Sequence, residues 1–300
     1  MFENLFSEHG LSLERLRTLQ LVSEAGSIAA AARGDTTRQS QYSRQLKELE
    51  QFFGTTLTRR QGRELKLTAA GQELLQIVNA AFVSLDDFKC RVSETGYRYK
   101  MGCGDSILAW MVAPVLEQAV QKGENWQFSF FNLRNADVSR QLLDMELDLG
   151  ILRTSAISSD LLKHLPIARV KYALYVPTHL QKYAPDFERA LTQLPIATLG
   201  SGSFFTRLQA VLQPLGLNLA HLNATQSFPF ALRLLQTGGF AAILPDIARI
   251  ELPEDVLKLE SPALEPLTRQ LSLAWNPRLL RVRPAAEEVI RFFIRTLTRR

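Results

Sequence analysis

The chain has 300 residues, 46% of them hydrophobic and 22% charged, and a formal net charge of +5. That is longer than one typical domain and has ordinary globular composition, which excludes disordered, collagenous and disulfide-stapled classes. So modest a net charge marks no nucleic-acid partner by itself, and no run of eighteen apolar residues exists to cross a bilayer, so no membrane partner is expected.

Met1 to Gly10 has acidic residues and no basic stretch leading into an apolar run, so it does not read as a signal peptide and a cytoplasmic protein is expected. Residues 11–24 place Leu13, Leu16, Leu19 and Val22 three apart, the stripe of a first helix. Residues 27–53, SIAAAARGDTTRQSQYSRQLKELEQFF, then read as a short alanine-rich helix N-capped by Ser27, a polar turn at Gly34-Asp35-Thr36-Thr37, and a second helix from about Arg38 to Phe53. In the second helix Tyr42, Leu46, Leu49 and Phe53 share one stripe, expected to face the core. Ser40, Arg44, Lys47 and Gln51 stand opposite, with Gln41 and Ser43 on the flanks. Such a face suits a DNA major groove, where arginine pairs with guanine and glutamine with adenine edges; for an isolated helix, a solvated surface is the plainer reading.

Arg60-Gln-Gly-Arg63-Glu-Leu65-Lys-Leu67-Thr68 reads as a β-ribbon turning at Gln61-Gly62, with Arg59, Arg60, Arg63 and Lys66 available to phosphates. From residue 33 to 66 eight basic residues face four acidic ones, the local clustering that the total charge hides. From Thr68 to about Val92 there is no proline, and Leu67, Gly71, Leu74, Val78, Ala81, Leu85, Phe88 and Val92 alternate four and three apart, a coiled-coil seam. Dimerisation through Leu74, Val78, Ala81, Leu85 and Phe88 is expected; the alternative is a helix lying on its own domain.

Leu16-x-x-Leu19, Glu24-Ala25-Gly26-Ser27, Ala31-Ala32, Gln39, Ser43-Arg44-Gln45, Leu49-Glu50, Phe53-Gly54, Leu57, Arg60, Gly62-Arg63 and Leu67-Thr68-x-Ala70-Gly71 together resemble, without a gap, the N-terminal domain of LysR-type transcriptional regulators. The resemblance implies a winged helix-turn-helix over residues 1–68 and a dimerising linker helix over 69–94. Its expected contacts to double-stranded DNA are Ser27, Arg38, Gln39, Ser40, Gln41, Ser43, Arg44, Lys47, Arg59, Arg60 and Arg63. The departures cluster at the turn: Asp35 and Thr37 replace apolar residues, Arg38 a capping serine, Ser40 a proline and Thr58 a phenylalanine. Thr36 or Thr37 is therefore expected to cap the second helix.

Beyond Gly96 short apolar runs alternate with helical patterns. Strands are expected at Tyr97–Cys103, Trp126–Asn132, Leu147–Leu152, Val170–Val176, Pro195–Leu199, Ala241–Leu244 and Leu271–Trp275. Helices are expected at Leu108–Gln121, Ala136–Met145, Phe204–Leu215, Pro229–Thr237 and Pro284–Leu297, giving βαβ units and a parallel sheet. Gly102, Pro114, Glu146-Leu147-Asp148-Leu149-Gly150, Val176-Pro177, Gly238-Gly239 and Leu244-Pro245 resemble the LysR-type effector domain, with Phe240 where a glycine is common. This implies a two-lobed α/β domain of periplasmic-binding-protein type over residues 95–300, with lobe I from 95–168 and 268–300 and lobe II from 169–267.

Ligands of open α/β sheets sit at strand carboxyl ends, where helix N-termini present free amides. Ser106, Asn135, Arg153 and Ser203 meet that description and match places where similar proteins hold effectors, so they are the expected effector contacts. Arg153 would pair with an anionic group and the others would donate hydrogen bonds; each alone also reads as a helix cap or surface residue.

No GxSxG elbow, Walker A loop or HExxH motif occurs, and Gly102-Cys-Gly104-Asp-Ser lacks dinucleotide-fingerprint spacing, so no catalytic residue and no cofactor are expected. Cys90 and Cys103 and the four scattered histidines offer no CxxC or metal spacing, and the cysteines read as small buried hydrophobes ahead of redox sensors. The resemblance implies a sequence-specific regulator acting as a dimer or tetramer, tuned by a small anionic effector between the lobes and in contact with RNA polymerase. The rivals are a solute-sequestering protein and a ligand-independent DNA-binding protein.

Overall fold

Leu19, Val22, Leu46, Leu49 and Leu57 bury one another in a small apolar cluster, and the N-terminal helices are arranged around it. The computed structural model describes residues 3–6, 10–61, 64–92, 98–219 and 221–298. The chain divides into two units: Met1–Tyr97 with Leu143–Glu146 and Pro277–Pro284, and Arg98–Leu142 with Leu147–Asn276 and Ala285–Arg300. Two short segments that the sequence assigns to the second half, Leu143–Glu146 and Pro277–Pro284, thus belong to the first unit.

The first unit runs α1 (Glu3–Phe6), α2 (Leu13–Ala25), α3 (Ile28–Ala31), α4 (Thr36–Phe53), β1 (Thr58–Gln61), β2 (Glu64–Leu67) and α5 (Ala69–Val92). Ser27 caps α3 as expected, its hydroxyl accepting from the Ala30 amide at 3.1 Å. The cap of α4 differs from expectation. Asp35, not Thr36 or Thr37, fills it, Oδ1 accepting from the Thr37 and Arg38 amides at 2.9 and 3.1 Å, so the helix starts before Arg38. Aspartate is the better cap, because its charge also meets the positive end of the helix dipole.

The core stripe is also narrower than the spacing suggests. Leu46 and Leu49 are buried and Tyr42 packs against the cluster, but Phe53 and Leu13 are exposed. Phe53 instead meets Phe52 edge to face, ring centroids 5.0 Å apart. Gln45, directly before Leu46, is buried too, accepting from the Thr18 hydroxyl at 2.7 Å.

β1 and β2 pair antiparallel, Thr58 opposite Leu67 and Gln61 opposite Glu64. The Thr68 hydroxyl caps the first turn of α5, accepting from Gly71 at 3.1 Å. Here α5 passes so close to the preceding loop that a Cβ on Gly71 would lie 2.1 Å from the Leu57 carbonyl oxygen.

The expected seam of α5 divides in two. Leu74 packs on the helical cluster and Val78 is 2% exposed within the chain, a correction to their assignment as free dimerisation residues. Helix Arg278–Val282 packs along this part of the unit, where Arg278 donates to Gln76 Oε1 at 3.1 Å. Ala81, Leu85 and Phe88 face outward with Ile77 and Val92; Leu85, Phe88 and Val92 are 52%, 59% and 70% exposed.

The second unit contains β3 (Arg98–Cys103), α6 (Asp105–Ile107), a π-helical turn Leu108–Val112, α7 (Ala113–Gln121), β4 (Gln127–Asn132), α8 (Asn135–Leu143), β5 (Leu149–Arg153), β6 (Lys163–Val170), β7 (Tyr172–Pro177), α9 (Phe187–Gln193), β8 (Ile196–Leu199), α10 (Gly202–Leu212), β9 (Leu222–Thr225), α11 (Phe228–Gln236), β10 (Ala241–Pro245), β11 (Val256–Leu259), β12 (Arg269–Trp275) and α13 (Ala286–Thr298). The helix between β12 and α13, α12 (Arg278–Val282), is grouped with the first unit.

Two five-stranded sheets result, ordered β4-β3-β5-β12-β6 and β11-β7-β10-β8-β9. Both are mixed rather than parallel: β12 runs antiparallel to β5 and β6, and β7 antiparallel to β10 and β11. The chain leaves the first sheet after Val170, enters the second at Tyr172, and returns at Arg269, which is the fold of a two-lobed α/β domain. Gly150 lets α8 approach its sheet, for a Cβ there would lie 2.5 Å from Val138 Cγ1.

Gly71→Ala forces a methyl group against backbone that has no rotamer to yield, and is expected to cost about 1–3 kcal/mol. Urea unfolding of the helical unit checks this, and an unchanged midpoint would show that the contact is not constraining.

Candidate nucleic-acid interface and ligand cleft

In the first unit α3, α4 and the ribbon enclose a hollow of about 650 Å³ lined by Ser27, Ile28, Ala29, Gln39, Ser40, Ser43, Arg60, Glu64 and Leu65. The ribbon reaches this place because the Leu65 amide donates to the Gly26 carbonyl at 2.9 Å, beside the loop that starts α3. Ser27, Gln39, Ser40, Ser43 and Arg60 therefore meet in one concavity. Two of these hydroxyls are partly engaged: Ser27 caps α3, and Ser40 donates to the Thr36 carbonyl at 3.1 Å.

The remaining expected contacts do not line the hollow; they stand elsewhere on α4 and on β1. Arg38, Arg44, Lys47 and Arg59 are exposed, and Gln41 is half-buried with its amide 3.4 Å from Glu14 Oε1. The Arg44 side chain is 75% exposed and lies 3.6 Å from Glu48 Oε1, an i,i+4 pair that solvent screens heavily. Arg38 similarly stands 3.6 Å from Asp35. Arg63 lies outside the described residues, and Lys66 pairs with Glu64 at 3.5 Å along the same strand, β2.

In the second unit three of the four expected effector contacts form one chain. Asn135, at the start of α8, accepts the Arg153 amide through Oδ1 at 2.9 Å. The Arg153 guanidinium at the end of β5 then reaches across to the other lobe, where Nη2 donates to the Ser203 hydroxyl at 2.9 Å. Ser106 sits in α6, its amide 2.7 Å from Asp105 Oδ1, and among the described residues no hydrogen bond ties its side chain to the other three.

Residues the sequence does not single out complete the cleft. Arg269 opens β12 opposite Val170, so it stands at the crossover, two residues from Leu271, which faces Arg153 on β5. Strand alternation puts Arg153 and Arg269 toward the same face. The Arg269 guanidinium carbon is 5.8 Å from the Phe204 ring centroid. Phe204 in turn packs with Tyr172 at 4.8 Å and Phe228 at 5.0 Å.

Burial first, then Arg269, and further Arg207, hold the Arg153 guanidinium below the ordinary arginine range, while Tyr172 opposes them. Burial and Arg207 act on Arg269 in the same direction. Burial pushes the Tyr172 hydroxyl up, against the pull of Arg269 and Arg153. None of the three arginines meets a carboxylate among the described residues, so the cleft holds positive charge without a counter-ion of its own. An arginine opening an apolar strand, as in Arg269-Gln-Leu-Ser-Leu-Ala-Trp275, is the signal that could have found it.

Cys103 is buried at the end of β3, and burial followed by the Asp105 charge pushes its thiol up. Among the described residues no three His, Cys, Asp or Glu groups cluster as a metal site, and no helix is long and apolar enough to cross a membrane.

Residues 13–72 match the family model for the bacterial regulatory helix-turn-helix protein of the lysR family, and residues 93–298 match the LysR substrate binding domain. The probable nitrogen assimilation transcriptional activator of Synechococcus elongatus is 30% identical over 276 residues, covering 88% of each chain. A full-length OxyR variant from Pseudomonas aeruginosa superposes with a TM-score of 0.62 at 17% identity, covering 97% of both chains. Full-length CbnR complexed with its target DNA superposes at 0.52 and 17% identity, covering 91% of this chain and 98% of that one. These structural likenesses speak to the fold.

Two outcomes follow from the geometry. Arg59→Ala and Arg60→Ala should each flatten the slope of log affinity for duplex DNA against log salt by about 1, read by fluorescence anisotropy; unchanged slopes would remove the ribbon from the interface. Cys103 should resist thiol reagents in the native chain and react after unfolding, and rapid native labelling would contradict its burial.

Proposed function

This chain belongs to the LysR family of transcriptional regulators, and from that premise we propose that it binds duplex DNA as a dimer and responds to a small anion held between its two lobes. Each subunit lays the outward face of α4 in a major groove, where Gln39, Ser43 and Arg44 meet base edges, while Arg59 and Arg60 hold phosphates. The observation that carries this reading is the hollow in which Ser27, Gln39, Ser40, Ser43 and Arg60 converge. A polar concavity with an arginine in its lining suits a duplex edge and its phosphates.

The exposed half of α5, with Ala81, Leu85 and Phe88, suits the same helix of a second copy, since a row of apolar groups left in water favours association. Two dimers side by side would span two dyad-symmetric sites and bend the DNA between them, altering contact with RNA polymerase. Arg153 is the seat for the anion, with Asn135 fixing its backbone and Ser203 standing in for the missing acceptor. By linkage the anion changes DNA binding only through different affinities for two arrangements of the dimer. That the relatives regulate transcription supports a non-enzymatic role.

Anisotropy with the chain's own upstream DNA tests the reading, with and without mixtures of small organic acids; no sequence preference under either condition would favour a solute-sequestering protein. Arg44→Ala should lose about 1–3 kcal/mol of binding concentrated at one base position. An equal loss on every sequence would point instead to an architectural DNA-binding protein.

A further inference from the structure

Arg269 carries an unanswered feature. Its Nε and Nη2 are both buried, and neither has a hydrogen-bond partner. These two atoms form one edge of the guanidinium, the side-on fork that presents two parallel N–H groups to a carboxylate or a phosphate. A charged donor pair buried without an acceptor is costly, and native structures keep such groups where something else completes them.

What covers the fork is also what engages Arg153. Ser203 and Phe204 are neighbours at the start of α10: the first takes the Arg153 hydrogen bond, and the second lies against the Arg269 guanidinium. One turn of helix therefore closes both arginines. With Arg207 on the same helix adding charge, and no carboxylate paired with any of the three among the described residues, a single negative group leaves the cleft positive.

We propose that the ligand of this cleft carries two anionic groups, one taken by Arg153 in exchange for Ser203 and the other by the Nε/Nη2 fork of Arg269, uncovered as the first turn of α10 draws back. This rests on the anion reading of the cleft given above and names its ligand class: a small dicarboxylate or a phosphorylated acid. A monoanion satisfies Arg153 and leaves the fork unpaired, so it gains little from opening the lobes. A dianion satisfies both, so only it binds the open arrangement with a clear preference, which is the condition for a ligand to shift an equilibrium.

The test is titration calorimetry on the full chain in low-chloride buffer. The probes are succinate and adipate, their mono-amides of equal length, and 3-phosphoglycerate against glycerate. Each probe with two anionic groups should bind at least about ten-fold more tightly than its counterpart with one, the gain of one charge-assisted fork. Arg269→Gln should bring each pair within about two-fold by weakening the two-group probes far more than their one-group counterparts, and Arg269→Lys, which keeps the charge without the fork, should lose most of the same discrimination. Arg153→Gln should weaken every probe. Arg269→Met should raise the melting temperature of the unliganded chain, because it removes unmet buried donors, and this reports on the fork without any ligand.

Discrimination with only the phosphorylated probe or only the diacids supports the proposal and identifies the acidic group. Equal binding of mono- and dianions that Arg153→Gln abolishes would overturn the two-group ligand and leave the anion reading standing. If no probe binds, the anion reading falls and the proposal falls with it.

Discussion

Glu50 joins α4 to the ribbon beside it. Its Oε1 accepts from the amides of Leu57 and Thr58 at 2.9 and 3.0 Å and from the Thr58 hydroxyl at 3.1 Å. Those groups begin β1, so one carboxylate near the end of α4 sets where Arg59 and Arg60 stand relative to Ser40, Ser43 and Arg44. Hydrogen bonds to a charged acceptor are the stronger kind, and losing this one would leave backbone donors unmet. The shape of the hollow, and with it any reading of DNA, depends on that junction.

Two departures from the family pattern make sense in this light. Thr58 replaces a phenylalanine and supplies the third donor to Glu50. Asp35 replaces an apolar residue and becomes the cap of α4, a role the sequence reading gave to the neighbouring threonines. Both are local trades of packing for a hydrogen bond, visible only once the partner's position is known. The helices themselves were legible because periodicity and caps are short-range. Phe53 was misplaced because a stripe at spacing four runs off the end of a helix whose last turn is exposed. The α5 seam was half right for a related reason: heptad spacing shows which side of a helix is apolar, not whether its own chain or another covers it.

In the second unit the strongly apolar runs declared themselves and the weak ones did not. β6 begins Lys-His and contains Pro166, tolerable because this strand lies at the sheet edge, while β9 and β11 are only four residues each. β12 was expected as a strand at Leu271–Trp275, but its antiparallel direction escaped a reading built on βαβ units. Asn135, Arg153 and Ser203, which the structure links by hydrogen bonds, were legible as candidates because helix starts at strand ends are a general rule, whereas Arg269 lies at a crossover whose place depends on the whole topology. The cleft thus combines residues that local rules find with one that only the assembled sheets reveal, and the unpaired charge is concentrated on the latter.

The central claim is that the exposed face of α4 lies in the major groove of a specific DNA site. Methylation interference on the chain's upstream DNA measures it most directly, because methyl groups on guanine N7 and adenine N3 block the major and minor grooves separately. The account predicts that N7 methylation at positions placed symmetrically in the two arms of the site abolishes binding. Interference from adenine N3 alone, or from no base at all, would contradict it.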